Sequence, residues 1–399
     1  MGADVVLGLG ANVDHEVEWD AELLGELARL HDIRPDELDP EAPVRSERDL
    51  VRSVLGFLRS GAGGERYAAA PDVLTGFASR FPRRTTLGGT SVRAALAMRA
   101  LGVRSTVHLV SVDDDVRRLL PAGVSYVSSG RADATHPHLI VQFPAGASVR
   151  VGAAEVRAPR GNRLIYVHDP ANADLVLSPD LGRLLGAADV VLLSGFNSMR
   201  DEAALRSRLV ELRGHLSARR PGGLVVYEDA GFHVPALSTV VRELLADHVD
   251  VWGMNEDELQ AYAGRPLDLL DAGEVLGALR SVRALLGVPT VVVHTSAWAA
   301  ALGERSPALR DALHRGVRLA GARHVRGDAL DRAAYDAVTG SPVSGAGQRL
   351  TTELERLAPG DVAAVPALDL RPERPTTIGL GDAFVGGFLA AVALEHDVR

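Results

Sequence analysis

Short apolar runs alternate with longer amphipathic stretches along most of the chain. Residues 5–9, 105–109, 190–194, 224–228, 249–253 and 290–294 are rich in Val and Leu. Continuous apolar runs of this length predict strands buried on both faces of a parallel sheet. Between them, residues 91–101, 202–218, 237–245 and 272–286 place Leu or Val at helical spacing, with Arg and Glu outside. That spacing predicts helices with one apolar face. Strand–helix–strand alternation points to a doubly wound α/β sheet that binds its ligands at the carboxyl ends of the strands.

Two stretches break the rhythm. Residues 14–80 contain two helical patterns, around 21–29 and 49–59. Residues 138–168 instead alternate apolar and polar positions over 139–143, 148–151 and 163–168, with Pro144-Ala-Gly and Pro159-Arg-Gly as turns. Period-two alternation predicts a small antiparallel sheet. A sheet with one exposed face needs something to cover, so it is expected to act as a lid over the active cleft. The expected division is a large α/β body of residues 1–13, 81–134 and 172–399, and a lid of residues 14–80 and 135–171. Residues 297–356, rich in Ala and Arg, read as helices, with 341–348 as a loop.

Composition removes several chemistries. All 43 basic residues of the 399 are Arg; Lys and Cys are both absent. A P-loop lysine, a kinase strand lysine and a Schiff base are therefore excluded. So are a thiol nucleophile, a disulfide framework and cysteine-held zinc or iron–sulfur. The net charge of −9 argues against a nucleic-acid partner. With 4% aromatics, the core must rest on Leu, Val and Ala. No basic-then-apolar leader opens the chain and no apolar run is long enough to span a membrane. A cytoplasmic setting is expected, with no membrane partner.

The sharpest local feature is Ile378-Gly-Leu-Gly-Asp382, which opens a long apolar stretch. Gly379 and Gly381 let the backbone turn tightly and present successive N–H groups. The helix N-terminus that follows favours anionic oxygens. Asp382 reads as a plain N-cap, or as a base beside an anion hole, which is what phosphoryl transfer to an alcohol requires. A dinucleotide fold fits less well: Gly8-Leu-Gly10 lacks the third glycine, and Phe384 stands where the later turn would need one.

Two acidic segments follow predicted strands: Glu228-Asp229, and Asn255-Glu-Asp-Glu258 at a helix start. They read as helix capping, or as oxygen ligands for a hydrated Mg²⁺. His136 and His138 flank Pro137 in a predicted loop and make a poor metal pair.

Taken together, these motifs resemble the ADP-dependent glucokinase and phosphofructokinase family of ribokinase-like kinases. Thr377 and Ile378–Asp382 resemble its Gly-x-Gly-Asp motif. Asn255–Glu258 resembles its Asn-x-x-Glu motif, and Val292-Val-His-Thr295 a strand ending in His-Thr. Gly8-Leu-Gly-Ala-Asn-Val-Asp14, Glu65 and Gly88-Gly89 resemble the sugar-site segments. The resemblance implies a ribokinase-like sandwich with a lid, and a kinase of a sugar or sugar phosphate. It implies Asp382 as base, with Gly379 and Gly381 stabilising the transferred phosphoryl. Asn12, Asp14, Glu65, Gly88, Gly89 and Thr90 would bind the acceptor. Asn255, His294, Thr377, Gly379, Leu380 and Gly381 would bind the nucleotide, its base near residues 368–371. Glu228, Asn255 and Glu258 would organise Mg²⁺. Two departures stand out: Val226 replaces a His before Glu228, and Thr90-Ser91 replaces Gln or Asn and a small residue after Gly-Gly.

The donor remains open between ADP and ATP. The rival readings are an ATP-dependent kinase of another alcohol, such as a nucleoside, and a non-catalytic ligand-binding relative. By resemblance the chain is expected to be a monomer or small homo-oligomer. Arg200 and the pair Arg83-Arg84 are candidates for meeting a phosphate, against a plain solvated role.

Overall fold

The computed structural model describes residues 3–130, 135–373 and 375–396. The described strands are β1 (Val5–Leu7), β2 (Asn12–Val17), β3 (Gly64–Tyr67), β4 (Arg83–Gly88), β5 (Ser105–Leu109), β6 (Val124–Ser128), β7 (His138–Phe143), β8 (Ser148–Val151), β9 (Ala154–Arg157), β10 (Asn162–Val167), β11 (Val190–Leu193), β12 (Leu224–Glu228), β13 (Val251–Asn255), β14 (Thr290–His294), β15 (Trp298–Gly303) and β16 (Val362–Pro366). Nine form one sheet in the order β16-β15-β14-β13-β12-β11-β1-β5-β6. Its strands all run in one direction except β15, which is antiparallel to both its neighbours, β14 and β16. Helices cover both faces, giving two core clusters on opposite sides of the sheet. The sandwich expected from the apolar runs is present because strands such as Val190–Leu193 bury every side chain.

Local chemistry fixes many helix ends. Asp201 and Asp271 accept from the Ala204 and Glu274 N–H groups at the starts of Glu202–Ser217 and Ala272–Leu286. Each satisfies a donor that the first turn leaves unpaired.

The second sheet has the order β3-β10-β7-β2-β4, and β8 and β9 form a separate hairpin. A third core cluster joins this sheet to the helices Ala21–Leu30, Glu47–Ser60 and Pro71–Ala78. The expected small antiparallel sheet is thus larger and mixed. β7 and β10 pair antiparallel, but β2 pairs with β7 in parallel and β3 with β10 in parallel. β2 and β4 escape a reading by apolar runs because NVDHEV and RRTTLG carry charge on their open positions. β4 lies in residues that the sequence assigned to the large body, yet it is a strand of the smaller sheet; residues 131–134 of that assignment lie outside the described residues.

The all-helical expectation for 297–356 also needs correction. WAAALG forms β15, buried along almost its whole length between β14 and β16. Ala has little strand propensity of its own, so tertiary burial decides this segment. Within 341–348, Ser344 caps a helix running Gly345–Leu357.

Candidate active site

The site is built where the two sheets meet. The long helix Leu380–His396 packs most closely against Arg310–Arg326 and Thr90–Ala100. The turn before it is pinned from behind. Arg323 Nε donates to the Ile378 carbonyl at 2.7 Å, and His324 Nδ1 lies 2.9 Å from the Thr376 carbonyl. Gly379 has φ 68°, a left-handed conformation that glycine adopts without a Cβ penalty. Asp382 follows in the first helical turn with its side chain 21% exposed.

Asp382 and Gly379 line a cleft of about 210 Å³ together with Asn12, Asp14, Glu65, Gly89 and Thr90. Residues more than 300 positions apart in the chain therefore share one cavity. Asp14, on β2, is buried. Its carboxylate accepts from Arg93 Nη2 at 2.7 Å and from Asn12 Nδ2 at 2.5 Å. Burial raises the Asp14 pKa; Arg93 and His138 only partly offset it. Gly88 does not line the cleft. It backs it: a Cβ there would meet the Asn12 amide and both Asp14 oxygens. Gly89, φ 87°, turns the chain into the helix Thr90–Ala100.

Glu65 stands on β3, with Oε1 3.2 Å from Nε2 of His233 in the loop after β12. Burial disfavours this carboxylate, yet His233, His138 and Arg163 hold its pKa below the usual value. The contact also ties the two sheets together. So does Arg84, which bridges Glu16 at 2.6 Å and Asp328 at 2.9 Å. Arg200, the other phosphate candidate, lies over the Tyr67 ring at 4.4 Å.

The cleft contains residues that sequence reasoning missed: Arg93, Arg163, Asn172, Asn197 and Ser198. His138 also lines it, although the sequence raised it only as a weak metal ligand. Its Nε2 is 3.3 Å from Asp169 Oδ2, an ion-pair contact without hydrogen-bond alignment. Burial opposes the imidazolium, but Asp169, Asp14 and Glu65 outweigh it and raise the pKa. One signal for Arg93 lay in the sequence: an Arg in the first turn of Thr-Ser-Val-Arg-Ala-Ala-Leu-Ala-Met, a stretch otherwise of small and apolar residues, whereas Arg99 sits at the helix end.

The second acidic group sits at the ends of β12, β13 and β14. Glu228 Oε1 lies 2.8 Å from His294 Nε2, and His294 packs on the Phe384 ring at 4.7 Å. Asn255 and Glu258 form a reciprocal capping box, with Asn255 Oδ1 accepting from the Glu258 N–H and Glu258 Oε2 from the Asn255 N–H. The plain helix-start reading therefore holds for this pair. Burial, with the neighbouring Glu228 and Asp229 charges, pushes Glu258 up to about 8. Burial also raises Glu228, which further feels Asp382 and Asp229. Asp229 is taken up by Tyr262, Tyr227 and Trp252. Among the described residues no three His, Cys, Asp or Glu side chains cluster to hold a metal directly. Buried carboxylates with raised proton affinity are nevertheless oxygen donors suited to a hard cation that retains water.

Glu228, Asn255, Glu258, His294, Leu380 and Gly381 do not line the cleft; Thr377 is exposed. Leu368 and Leu370 pack beside Ala322, and Arg371 pairs with Asp369 at 3.2 Å.

Comparison with known proteins matches this architecture. Residues 3–335 match the conserved region of ADP-specific phosphofructokinase/glucokinase. No curated protein sequence matches the chain. Among solved structures, it is similar to a hypothetical ADP-dependent phosphofructokinase of Pyrococcus horikoshii OT3, at 17% identity and TM-score 0.77, covering 100% of this chain and 99% of that one. An ADP-dependent kinase complexed with fructose-6-phosphate and ADPβS is 15% identical with TM-score 0.74, covering 100% and 95%. The adenosine kinase of Sinorhizobium meliloti is 16% identical with TM-score 0.52, covering 99% and 88%. No described helix is long and apolar enough to cross a membrane.

Proposed function

Since the chain belongs to the ADP-specific phosphofructokinase/glucokinase family, and is thus a sugar kinase with a nucleotide donor, we propose that it carries the terminal phosphoryl of ADP to a hydroxyl of a sugar phosphate, with Asp382 as base. One observation carries the reading: Asp382, at the start of its helix behind the left-handed Gly379, faces the same cleft as Asn12, Asp14 and Glu65. The carboxylate is where an acceptor hydroxyl must lose its proton. The Gly379–Gly381 amides and the helix N-terminus are where phosphoryl charge is stabilised.

Arg163 favours a phosphorylated acceptor over a neutral sugar. It lines the cleft from β10 and makes no ion pair with a described residue. A guanidinium with free donors matches a phosphate. Asn12, Asp14 and Glu65 offer hydrogen-bonding atoms for sugar hydroxyls, and Gly89 and Thr90 shape the floor between them. On this reading the smaller sheet and its helices form the lid, through Glu65–His233 and Arg84–Asp328.

Glu228, Asn255 and Glu258 would hold Mg²⁺ through its waters, beside the nucleotide ends of β12 to β14. When bound, the ion neutralises charge on the nucleotide phosphates. His294 keeps Glu228 in place and packs beneath the phosphate-binding helix. Large exposed apolar residues such as Leu30, Val210 and Leu270 come from separate elements; this scatter supports a monomer.

The test is a matrix of ADP, ATP and GTP against sugars and sugar phosphates with Mg²⁺. Turnover is expected with ADP and a sugar phosphate. Asp382→Asn should lower kcat by on the order of 10²- to 10⁴-fold, the scale for losing a general base. No transfer with any pair refutes the reading; unchanged kcat in the variant refutes the base.

A further inference from the structure

A second charged group occupies the cleft at the transfer point. Arg93 is 7% exposed and enters from the first turns of the helix Thr90–Ala100. Its Nη2 bonds Asp14 Oδ2 at 2.7 Å, and its Nε lies 4.0 Å from Asp382 Oδ2. On its third side the guanidinium abuts the anion turn: Nη1 and Cδ stand 3.0 and 3.1 Å from where a Gly379 Cβ would be. One planar cation therefore touches the acceptor end, the base and the phosphate turn.

A neighbouring arginine shows what a purely structural role looks like. Arg323 also abuts Gly379, but its Nε is taken by the Ile378 carbonyl and its Nη2 by Asp328 at 3.1 Å. Arg93 differs. Neither Nε nor Nη1 donates a hydrogen bond to a described residue. These donors are not sealed in the core without a partner but open on the cleft that Arg93 lines, where a ligand can take them. Here the unused donors look onto the gap between the Gly379 turn and Asp382, which the cavity fills.

Resting on the sugar-kinase reading above, we propose that Arg93 is a catalytic arginine that binds the phosphoryl group in transit. The acceptor oxygen bonds the terminal phosphorus of ADP, and the bond from that phosphorus to the bridging oxygen breaks. The hydroxyl proton goes to Asp382, and AMP leaves with the electron pair. Charge on the phosphoryl oxygens grows between the turn and the acceptor, within reach of Nε and Nη1. A guanidinium preorganised by Asp14 pays little reorganisation there. In a chain without Lys, it supplies a fixed positive charge beside the amide hole.

The experiment measures kcat and acceptor KM for the full chain and for Arg93→Met, Arg93→Lys and Arg93→Ala, with ADP, Mg²⁺ and the best acceptor from the matrix. Arg93→Met should lose on the order of 10²- to 10³-fold in kcat, the scale of removing one oxyanion donor. Arg93→Lys should fall between, since it keeps charge without the fork. Added guanidinium should restore part of the kcat of Arg93→Ala. If Arg93 only tethers Asp14, the variants raise acceptor KM and keep kcat; that result overturns the proposal. Should Arg93→Met fail to fold by circular dichroism, the Arg93→Lys kcat decides in its place, a wild-type value overturning the assignment. A wild type inactive with every pair sinks the sugar-kinase reading itself, whereas an active wild type with unchanged kcat in Arg93→Met sinks only the arginine.

Discussion

Replacing Gly379 with Ala tests the phosphate turn directly. The residue sits at φ 68°, where an L side chain costs roughly 1–2 kcal/mol. The new Cβ would stand 3.0 Å from Arg93 Nη1, 3.1 Å from Arg93 Cδ and 3.1 Å from Arg323 Nε, against 3.4–4 Å for ordinary contact. Neither arginine yields freely. Arg93 is held by Asp14 at 2.7 Å, and Arg323 by the Ile378 carbonyl at 2.7 Å. Weakening one such charge-assisted bond costs about 1.5–3 kcal/mol, so the sum is about 2.5–5 kcal/mol. The assay is the shift in urea unfolding, read beside kcat. Misplacing the amides by a few tenths of an ångström should also cost on the order of 10-fold or more in kcat. Gly381→Ala is the comparator. It lies inside the helix without a positive φ, and its Cβ meets only His294 Cε1 at 3.2 Å. A smaller loss of stability is expected. If Gly379→Ala stays within about 0.5 kcal/mol of wild type and keeps its kcat, the turn is not strained as argued.

Two more predictions reach beyond that turn. His108 is fully buried, its Nε2 accepts from the Ser178 N–H at 2.9 Å, and burial lowers its pKa to about 4. The folded state resists protonation more than the unfolded one. Its share of stability is therefore complete above pH 6.5 and lost as pH falls toward 4, by about 3 kcal/mol. In urea titrations His108→Gln should flatten that slope; parallel slopes would reject it. Gly253, opposite Glu228 in β12–β13, leaves no room for a Cβ beside Glu228 Oε2. Gly253→Ala should displace Glu228 from His294 and raise the Mg²⁺ needed for half-maximal rate several-fold, with the acceptor KM unmoved. An unchanged Mg²⁺ curve would separate Glu228 from the metal.

Legibility followed locality. The parallel strands β12 and β14 could be read residue by residue because each is built on an apolar run and buried along its whole length. Gly379–Asp382 was legible because a tight turn and a helix start are properties of adjacent residues. β15 was not, since its alanines become strand only between two neighbours. β2 and β4 were missed because both are rich in polar and charged residues: Asn12 and Asp14 of β2 line the cleft, and Arg84 of β4 pairs with Glu16 and Asp328.

The sequence by itself thus determined the α/β sandwich, the absence of any Lys or thiol chemistry, and the glycine turn with its aspartate. Those depend on apolar continuity, composition and backbone freedom, all carried by neighbouring positions. Only the tertiary structure decided that Arg93 stands between Asp14 and Asp382, that His138 and Arg163 line the same cavity, and that Glu228 is joined to His294. Each of these is an electrostatic relation across a few ångströms between distant parts of the chain. Such relations arise only when the packing of the helix Leu380–His396 against its neighbours, and of one sheet over the other, brings the charges together and excludes the water that would screen them.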